Sequence, residues 1–419
     1  MNKKRVAVIG AGPAGLMAAG QAAARGAEVV VFEKKRRPAL KLAITGKGRC
    51  NLTNKAPLAE FIKSYGPNGR FLRSSFGHFF SGDLIKFLKE LGVNTGFERG
   101  GRVFPLSGDA AEVARALIGW AKENGAKIKT GTKVIRLIIN ENTISGVRYV
   151  ASEGSEKAQD YLTDGVIIAT GGASYPATGS TGDGYRLAKS VGHCIIPVRP
   201  ALVPLETRGD IAGRLQGLSL KNVRLKMLAD GKKAGDIFGE MLFTHYGVSG
   251  PIVLTVSKQV VDLLEEGKKV ILSIDLKPAL DHRKLDARIL RDLETYRNKK
   301  SKSILKMLLP QKLIPVCIEL LDLSGDKPGN QISSDERKRL RLWLKDFRLE
   351  VIGHRSFEEA IVTAGGIDLK EVDPKSLESR LVKNLYFAGE VLDIDADTGG
   401  FNLQAAFSTG YLAGISATR

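Results

Sequence analysis

The chain has 419 residues, 43% hydrophobic and 26% charged, with 64 Lys and Arg against 45 Asp and Glu and a formal net charge of +19. That length exceeds what one hydrophobic core usually serves, so two or three domains are expected, and the apolar content excludes a disordered chain. No run of 18 apolar residues exists, so no membrane span is expected. The three scattered cysteines (Cys50, Cys194, Cys317) lack CxxC spacing, which argues against a disulfide framework or zinc site and fits a reducing cytoplasm.

Arg5 to Ile9 reads as a short apolar strand, Gly15 to Arg25 as an alanine-rich helix and Ala27 to Glu33 as a second strand, the βαβ opening of a parallel sheet. The basic start before this apolar stretch superficially resembles a signal peptide, but the glycines and acids that follow fit strand, turn and helix better. A polar, glycine-rich loop runs from Thr45 to Asn54, and Asp83 to Leu91 and Ala110 to Asn124 read as amphipathic helices. Thr132 to Ile139 and Thr143 to Val150 are expected strands of a hairpin turning at Asn140-Glu141-Asn142, and Asp164 to Thr170 is an expected buried strand. Prolines at 197, 200 and 204 then mark a linker, followed by strand-like stretches (Asn222 to Leu228, Lys269 to Leu276) and basic helices from His282 to Leu323 and Ser334 to Phe347. Glycine-rich turns and a strand, Asn384 to Gly389, return near the end.

Gly10-Ala11-Gly12-Pro13-Ala14-Gly15 follows the first strand and opens the first helix. In such a pattern the first glycine permits a tight turn, the second lets backbone amides touch a pyrophosphate, and the third lets helix and strand pack closely. Glu33, about 20 residues on at the end of the next strand, suits a ribose 2′-OH and disfavours a 2′-phosphate. Late in the chain a strand ends at Gly389-Glu390, and Gly399-Gly400-Phe401-Asn402-Leu403-Gln404 turns into a small-residue helix. A bipartite site of this kind points to FAD, because an NAD-only site has no need of a second half that holds a flavin.

The sequence resembles the BaiN/RdsA-type (YhiN-like) NAD(P)/FAD-dependent oxidoreductases across essentially its whole length. The resemblance rests on GAGPAG at 10–15, TGKGRCNLTN at 45–54, GRVFP at 101–105, ATGGASYPATGSTGDGY at 169–185, GEMLFTHYGVSGP at 239–251 and AGEVLDIDADTGGFNLQAAFSTG at 388–410. It implies an α/β fold: a two-part Rossmann-like FAD-binding domain (1–194 and 355–419) interrupted by a β-rich unit (195–280 and 346–354) and a helical basic insert (281–345). It also implies cofactor contacts at Gly10, Gly12, Ala14, Gly15, Glu33 and Lys34, then at Thr45, Gly46, Gly48, Arg49, Cys50 and Asn51. Further contacts are expected at Val134, Thr170 and Gly171, and finally at Gly389, Glu390, Asp393, Gly399, Gly400, Phe401, Asn402, Leu403 and Gln404. Phe401 stands where tyrosine is as readily expected, which removes a hydroxyl.

Flavin reductases need little acid–base machinery beyond a proton donor. Cys50 is the first candidate, with Arg49 beside it able to lower the thiol pKa; the alternative is a small packing residue in a tight loop. His245, in Thr244-His245-Tyr246-Gly247 of the insert expected to face the flavin, is the second, against a satisfied structural histidine. Arg102 is suited to an anionic substrate group or to pairing with a carboxylate. No second GxGxxG is present, so NAD(P)H is expected as a transient reductant without its own Rossmann domain, and no metal is expected.

The basic residues gather in the helical insert, which suggests either a solvated surface or a polyanionic partner. The resemblance offers two acceptors, uridine in large-subunit ribosomal RNA and a conjugated alkene of a steroid-like molecule. The charge favours RNA, and a non-catalytic flavin-containing RNA-binding factor is the further alternative. Nothing in the sequence sets the oligomeric state.

Overall fold

A computed structural model describes residues 3–151 and 157–419. Strand β1 (Arg5–Ile9) buries its four apolar residues and leads through the glycine turn into helix α1 (Pro13–Ala24), with proline at the start, where its missing N–H costs nothing. Then come β2 (Glu28–Glu33), α2 (Ala110–Glu123), β3 (Lys127–Thr130), β4 (Gly165–Ile168), β5 (Leu385–Phe387) and the closing helix α3 (Phe401–Ser416). The strands form one parallel sheet in the order β5-β4-β1-β2-β3, so the late strand β5 sits two places from β1. Val6, Val8, Val29 and Val31 are buried on one face of this sheet and Ala7, Val30 and Phe32 on the other, as expected of a sheet covered on both sides.

Small residues explain how the two ends of the chain meet. Helix α1 is buried nearly all round and packs on α3; a Cβ on Gly410 would lie 2.3 Å from the Ala14 carbonyl oxygen, and one on Gly414 2.5 Å from that of Ala18. Glycines four residues apart on α3 thus let two backbones approach where any side chain would hold them off.

The hairpin expected at residues 140–142 is present, Thr132–Asn140 against Thr143–Ala151, and both turn residues, Glu141 and Asn142, have positive φ (47° and 62°), as a two-residue turn of matching twist requires. The expected proline linker is instead a strand, Ile195–Ala201, antiparallel to Val362–Ile367; its prolines sit in an edge pairing, which tolerates the missing donors. The compact units accordingly divide after Ala201 and before Phe357, where the sequence suggested 194 and 355.

The second unit, Leu202–Ser356, contains a closed six-stranded barrel of Leu205–Thr207, Gly247–Ser249, Lys232–Phe243, Ser219–Ala229, Val270–Asp275 and Phe347–His354. The strand Lys232–Phe243 has no clear signal in the sequence: its charges and glycines mask the alternation, and register shifts interrupt its pairing with Ser219–Ala229. The expected helical stretch from 282 to 323 breaks into His282–Thr295, Ser301–Leu305 and Leu313–Leu320, with Pro310 in the second break. Barrel and helices share one hydrophobic cluster, from Leu225 and Leu272 to Leu285 and Leu313, so the β-rich and helical parts are one body. Among the described residues no helix is long and apolar enough to cross a membrane, and no group of His, Cys, Asp and Glu could hold a metal.

Candidate functional site

The glycine turn is fixed by its surroundings. Gly10 has φ +100° and a Cβ there would lie 2.5 Å from the Ala169 oxygen; one on Gly15 would lie 1.9 Å from the Gly10 oxygen. Gly12 differs: its φ is −80° and a Cβ would meet nothing within 4 Å. Neither conformation nor packing requires glycine at 12, and the open space there, beside the N–H groups of the first turn of α1, leaves room for a phosphate to approach. Glu33 receives Ala11 N–H (2.9 Å) on one oxygen and Lys35 N–H (2.8 Å) on the other. That ties the turn to the end of β2 and leaves lone pairs for a ribose hydroxyl. A dinucleotide fits this arrangement.

Beyond Glu33, Lys34 pairs with Asp183, which also meets Lys133 (3.7 Å) and Arg186. Burial, with Lys133 adding to it, pulls the Lys34 ammonium down to about 8. Val134 and Asp183 share the lining of a cavity of about 560 Å³ with Lys133, Arg136 and Arg186, so this expected contact lies beside Lys34. Thr170 and Gly171 follow β4; Gly171 has φ +70° and lies against Ser180 and Glu390.

The loop of residues 45–54 joins the other end of the chain. Asn51, with its amide turned to satisfy both groups, donates to the Thr53 oxygen (3.2 Å) and accepts from Gly400 N–H (3.0 Å). Asn54 donates to the Gly399 oxygen (3.0 Å), and Tyr65 O–H to the Phe401 oxygen (2.6 Å). A Cβ on Gly400 would sit 2.3 Å from the Thr53 oxygen, and one on Gly389 2.9 Å from the Ala14 Cβ. Asn402 braces Ala396 through both amide atoms, Asn68 holds Asp393, and Gln404 bonds to Ser408 while its Oε1 is buried without a partner. The segments at 10–15, 45–54, 389–393 and 399–404 are therefore brought together, with Leu403 in the first turn of α3.

Glu390 has a partner that the sequence did not reveal. Lys41 Nζ lies 2.7 Å from one oxygen; Ser174 O–H (3.0 Å) and Thr363 N–H (2.8 Å) donate to the other. Burial alone would raise this carboxyl, but the Lys41 charge and these donors hold it below the usual range. Lys41 carries no motif signal, being 349 residues away in sequence.

The three chemical candidates separate. Cys50 is fully buried, with φ +59°, and burial pushes its thiol up to about 12, only partly offset by Thr45 Oγ1. This corrects the expectation of a lowered pKa: the nearby Arg49 points to Glu98 and the Phe104 ring instead. Iodoacetamide on the native protein at pH 8 is expected to label Cys194, which is exposed, and to spare Cys50 and Cys317 until denaturant is added; peptide mapping would check this, and native labelling of Cys50 would refute it. Arg102 also pairs with Glu98 (3.3 Å). His245 belongs to the second unit, at an exposed turn between barrel strands, its ring edge-on to Tyr246 at 4.7 Å, and is not a satisfied core histidine.

The sequence profile described as the HI0933-like protein Rossmann domain matches residues 4–416. The chain belongs to the HI0933-like family. Within that family it is 33% identical over 416 residues to a 3-dehydro-bile acid delta(4,6)-reductase of Clostridium scindens, covering 99% of this chain and 98% of that protein. It is 32% identical over 416 residues to a ribosomal RNA dihydrouridine synthase of Haemophilus influenzae, covering 98% of each. The fold of this HI0933-like chain is similar to that of a 3-ketosteroid delta1-dehydrogenase from Sterolibacterium denitrificans, with 14% identity, a TM-score of 0.54 and 100% of both chains covered. The resemblance first carried by six motifs thus extends over the whole chain.

Proposed function

We propose that the protein is an FAD-dependent reductase that adds hydride and a proton across an activated C=C bond, with NAD(P)H as hydride source and uridine in large-subunit ribosomal RNA as acceptor. The observation that carries the cofactor is the open space at Gly12, which leaves room for a pyrophosphate at the start of α1, within a turn that Glu33 ties to β2. FAD, when bound, supplies a two-electron hydride carrier. The chain's own part is to hold the pyrophosphate at α1, the ribose at Glu33 and the flavin end at the 45–54 loop and the start of α3, which are joined to each other. The balance is one NAD(P)H and one proton consumed for each C=C saturated. A thiol at about 12 is a poor acid, so Cys50 serves packing, and His245 stays the candidate proton donor.

Two relatives support the bond type, since their names describe a bile-acid reductase and a dihydrouridine synthase. For the acceptor, overall charge supports RNA, but it is not confined to the insert. Residues 202–356 carry 29 Lys and Arg against 20 Asp and Glu, about half of the net +19. Many insert cations are also engaged, as Arg337 and Arg341 are with Asp286, and Lys300 and Lys302 with Asp326. The second reading, a small-molecule enone, is favoured by the bile-acid relative at 33% identity. Deleting the gene and mapping dihydrouridine across ribosomal RNA decides between them. A site lost on deletion and restored by the wild type but not by Gly12→Trp supports RNA; an unchanged map rejects it and directs the search to conjugated alkenes.

A further inference from the structure

Two arginines from different parts of the first unit converge on one carboxylate beside the flavin-end loop. Arg49, in the 45–54 loop, pairs with Oε1 of Glu98, and Arg102 approaches Oε2 at 3.3 Å. Beneath them lies the Phe104 ring, 4.4 Å from the Arg49 guanidinium carbon and 5.7 Å from that of Arg102. The ring face attracts both cations and limits the planes they adopt. The Arg102 Nε donates to the Arg99 oxygen (3.2 Å), which leaves its terminal nitrogens pointing to Glu98.

The backbone is as constrained as the side chains. Glu98 to Gly101 close the hairpin between Thr95–Phe97 and Arg102–Pro105, with Glu98 N–H donating to the Arg102 oxygen (2.9 Å) and Gly101 N–H to the Glu98 oxygen (3.1 Å). Gly100 and Gly101 have φ of +80° and +73°, and a Cβ on Gly101 would lie 2.6 Å from Asn54 Oδ1. Asn54 is the register partner of Arg102 and donates to both the Gly100 and Gly399 oxygens at 3.0 Å. One hydrogen bond therefore separates the strand bearing Arg102 from the glycine pair that starts α3. The side chains of Arg49, Arg102 and Glu98 nevertheless keep 49%, 44% and 35% of their exposure, so a solute can reach them.

We propose that Arg49, Arg102 and Phe104 form an oxyanion clamp for the substrate, in which Glu98 holds the place that a substrate phosphate or carboxylate takes. Two planar guanidinium forks match the oxygens of either anion. Glu98 is accessible to water, so it can be displaced without stranding a buried charge, and its departure leaves two positive charges facing the incoming anion. The clamp rests on the reductase reading only for its location beside the flavin end; its chemistry is that of an anion site in either case. It gives the enzyme a handle remote from the C=C bond, on which binding energy orients the acceptor.

The test uses the FAD-loaded protein and two matched pairs of probes. One pair is a uridine-containing hexaribonucleotide and its uncharged methylphosphonate analogue. The other is a 3-oxo-4-ene steroid carboxylic acid and its methyl ester. Equilibrium dialysis is expected to show the charged member of one pair binding about tenfold more tightly than its neutral partner, and the pair that does so identifies the source of the anion. Arg102→Gln removes that difference, and Glu98→Gln tightens the charged member several-fold. Equal binding within both pairs overturns the clamp, as does an equal loss for charged and neutral members in Arg102→Gln, or weaker binding of the charged member in Glu98→Gln. Reoxidation of the reduced enzyme by the same probes is followed separately. Arg102-dependent discrimination without reoxidation refutes the reductase reading and leaves the clamp standing.

Discussion

Gly12→Ala is expected to weaken FAD binding at least about tenfold while leaving the thermal midpoint of the cofactor-free protein within about 2 °C of the wild type. A methyl group at 12 meets nothing within 4 Å and the backbone there is compatible with any residue, so the fold has no reason to object. The pyrophosphate does, because the methyl occupies the space through which it reaches the amides of α1. Gly15→Ala provides the contrast: its Cβ would lie 1.9 Å from the Gly10 oxygen, a backbone atom that cannot step aside, and a stability loss of about 3 kcal/mol is expected. FAD stoichiometry from the visible spectrum and calorimetry of the stripped protein separate the two effects. Equal destabilisation by both variants would mean that Gly12 is a structural glycine and that the open space there takes no phosphate.

Lys41→Met is expected to cost about 3 kcal/mol at pH 8, because it leaves Glu390 partly buried with its charge unanswered. Both side chains of the pair are only 20% exposed, so solvent compensates little. The pH dependence follows from the direction of the Glu390 shift. In the wild type its pKa is depressed, so the stabilisation is present above the unfolded-state carboxylate range and is lost as pH falls through the folded value. In the variant the Lys41 charge is gone and burial is opposed only by the Ser174 and Thr363 donors, so the carboxyl titrates higher than in the wild type and protonation relieves the penalty at higher pH. The difference between the two proteins should therefore shrink steadily from pH 8 towards pH 4. Urea titrations across that range measure it; a difference independent of pH would show that Lys41 acts by packing alone.

The reach of the sequence can be seen in individual residues. Strand β1, helix α1 and Glu33 are legible because turn, helix start and acid lie within one local βαβ unit, whose spacing is set by backbone geometry. The hairpin at Glu141-Asn142 is legible for the same reason. The pairing of Lys41 with Glu390 is not, because a single charge carries no period and its partner is brought by β5 entering the sheet beside β4. Cys50 shows a different limit: its neighbours in sequence imply a cation next to a thiol, but the loop sends Arg49 outwards to Glu98 and turns the sulfur into the core. The strand Lys232–Phe243 was hidden because it closes a barrel, where bulges and cross-strand partners decide the pairing more than alternation does.

By itself, then, the sequence determined the dinucleotide turn, the bipartite arrangement of the first unit and the family, all of which depend on short segments with strong backbone requirements. Tertiary structure alone decided which side chains meet: the Glu390 network, the sharing of Glu98 by Arg49 and Arg102, and the empty space above Gly12. Those depend on long-range packing, where the position of a side chain is fixed by neighbours hundreds of residues away and burial, rather than residue type, sets its charge state.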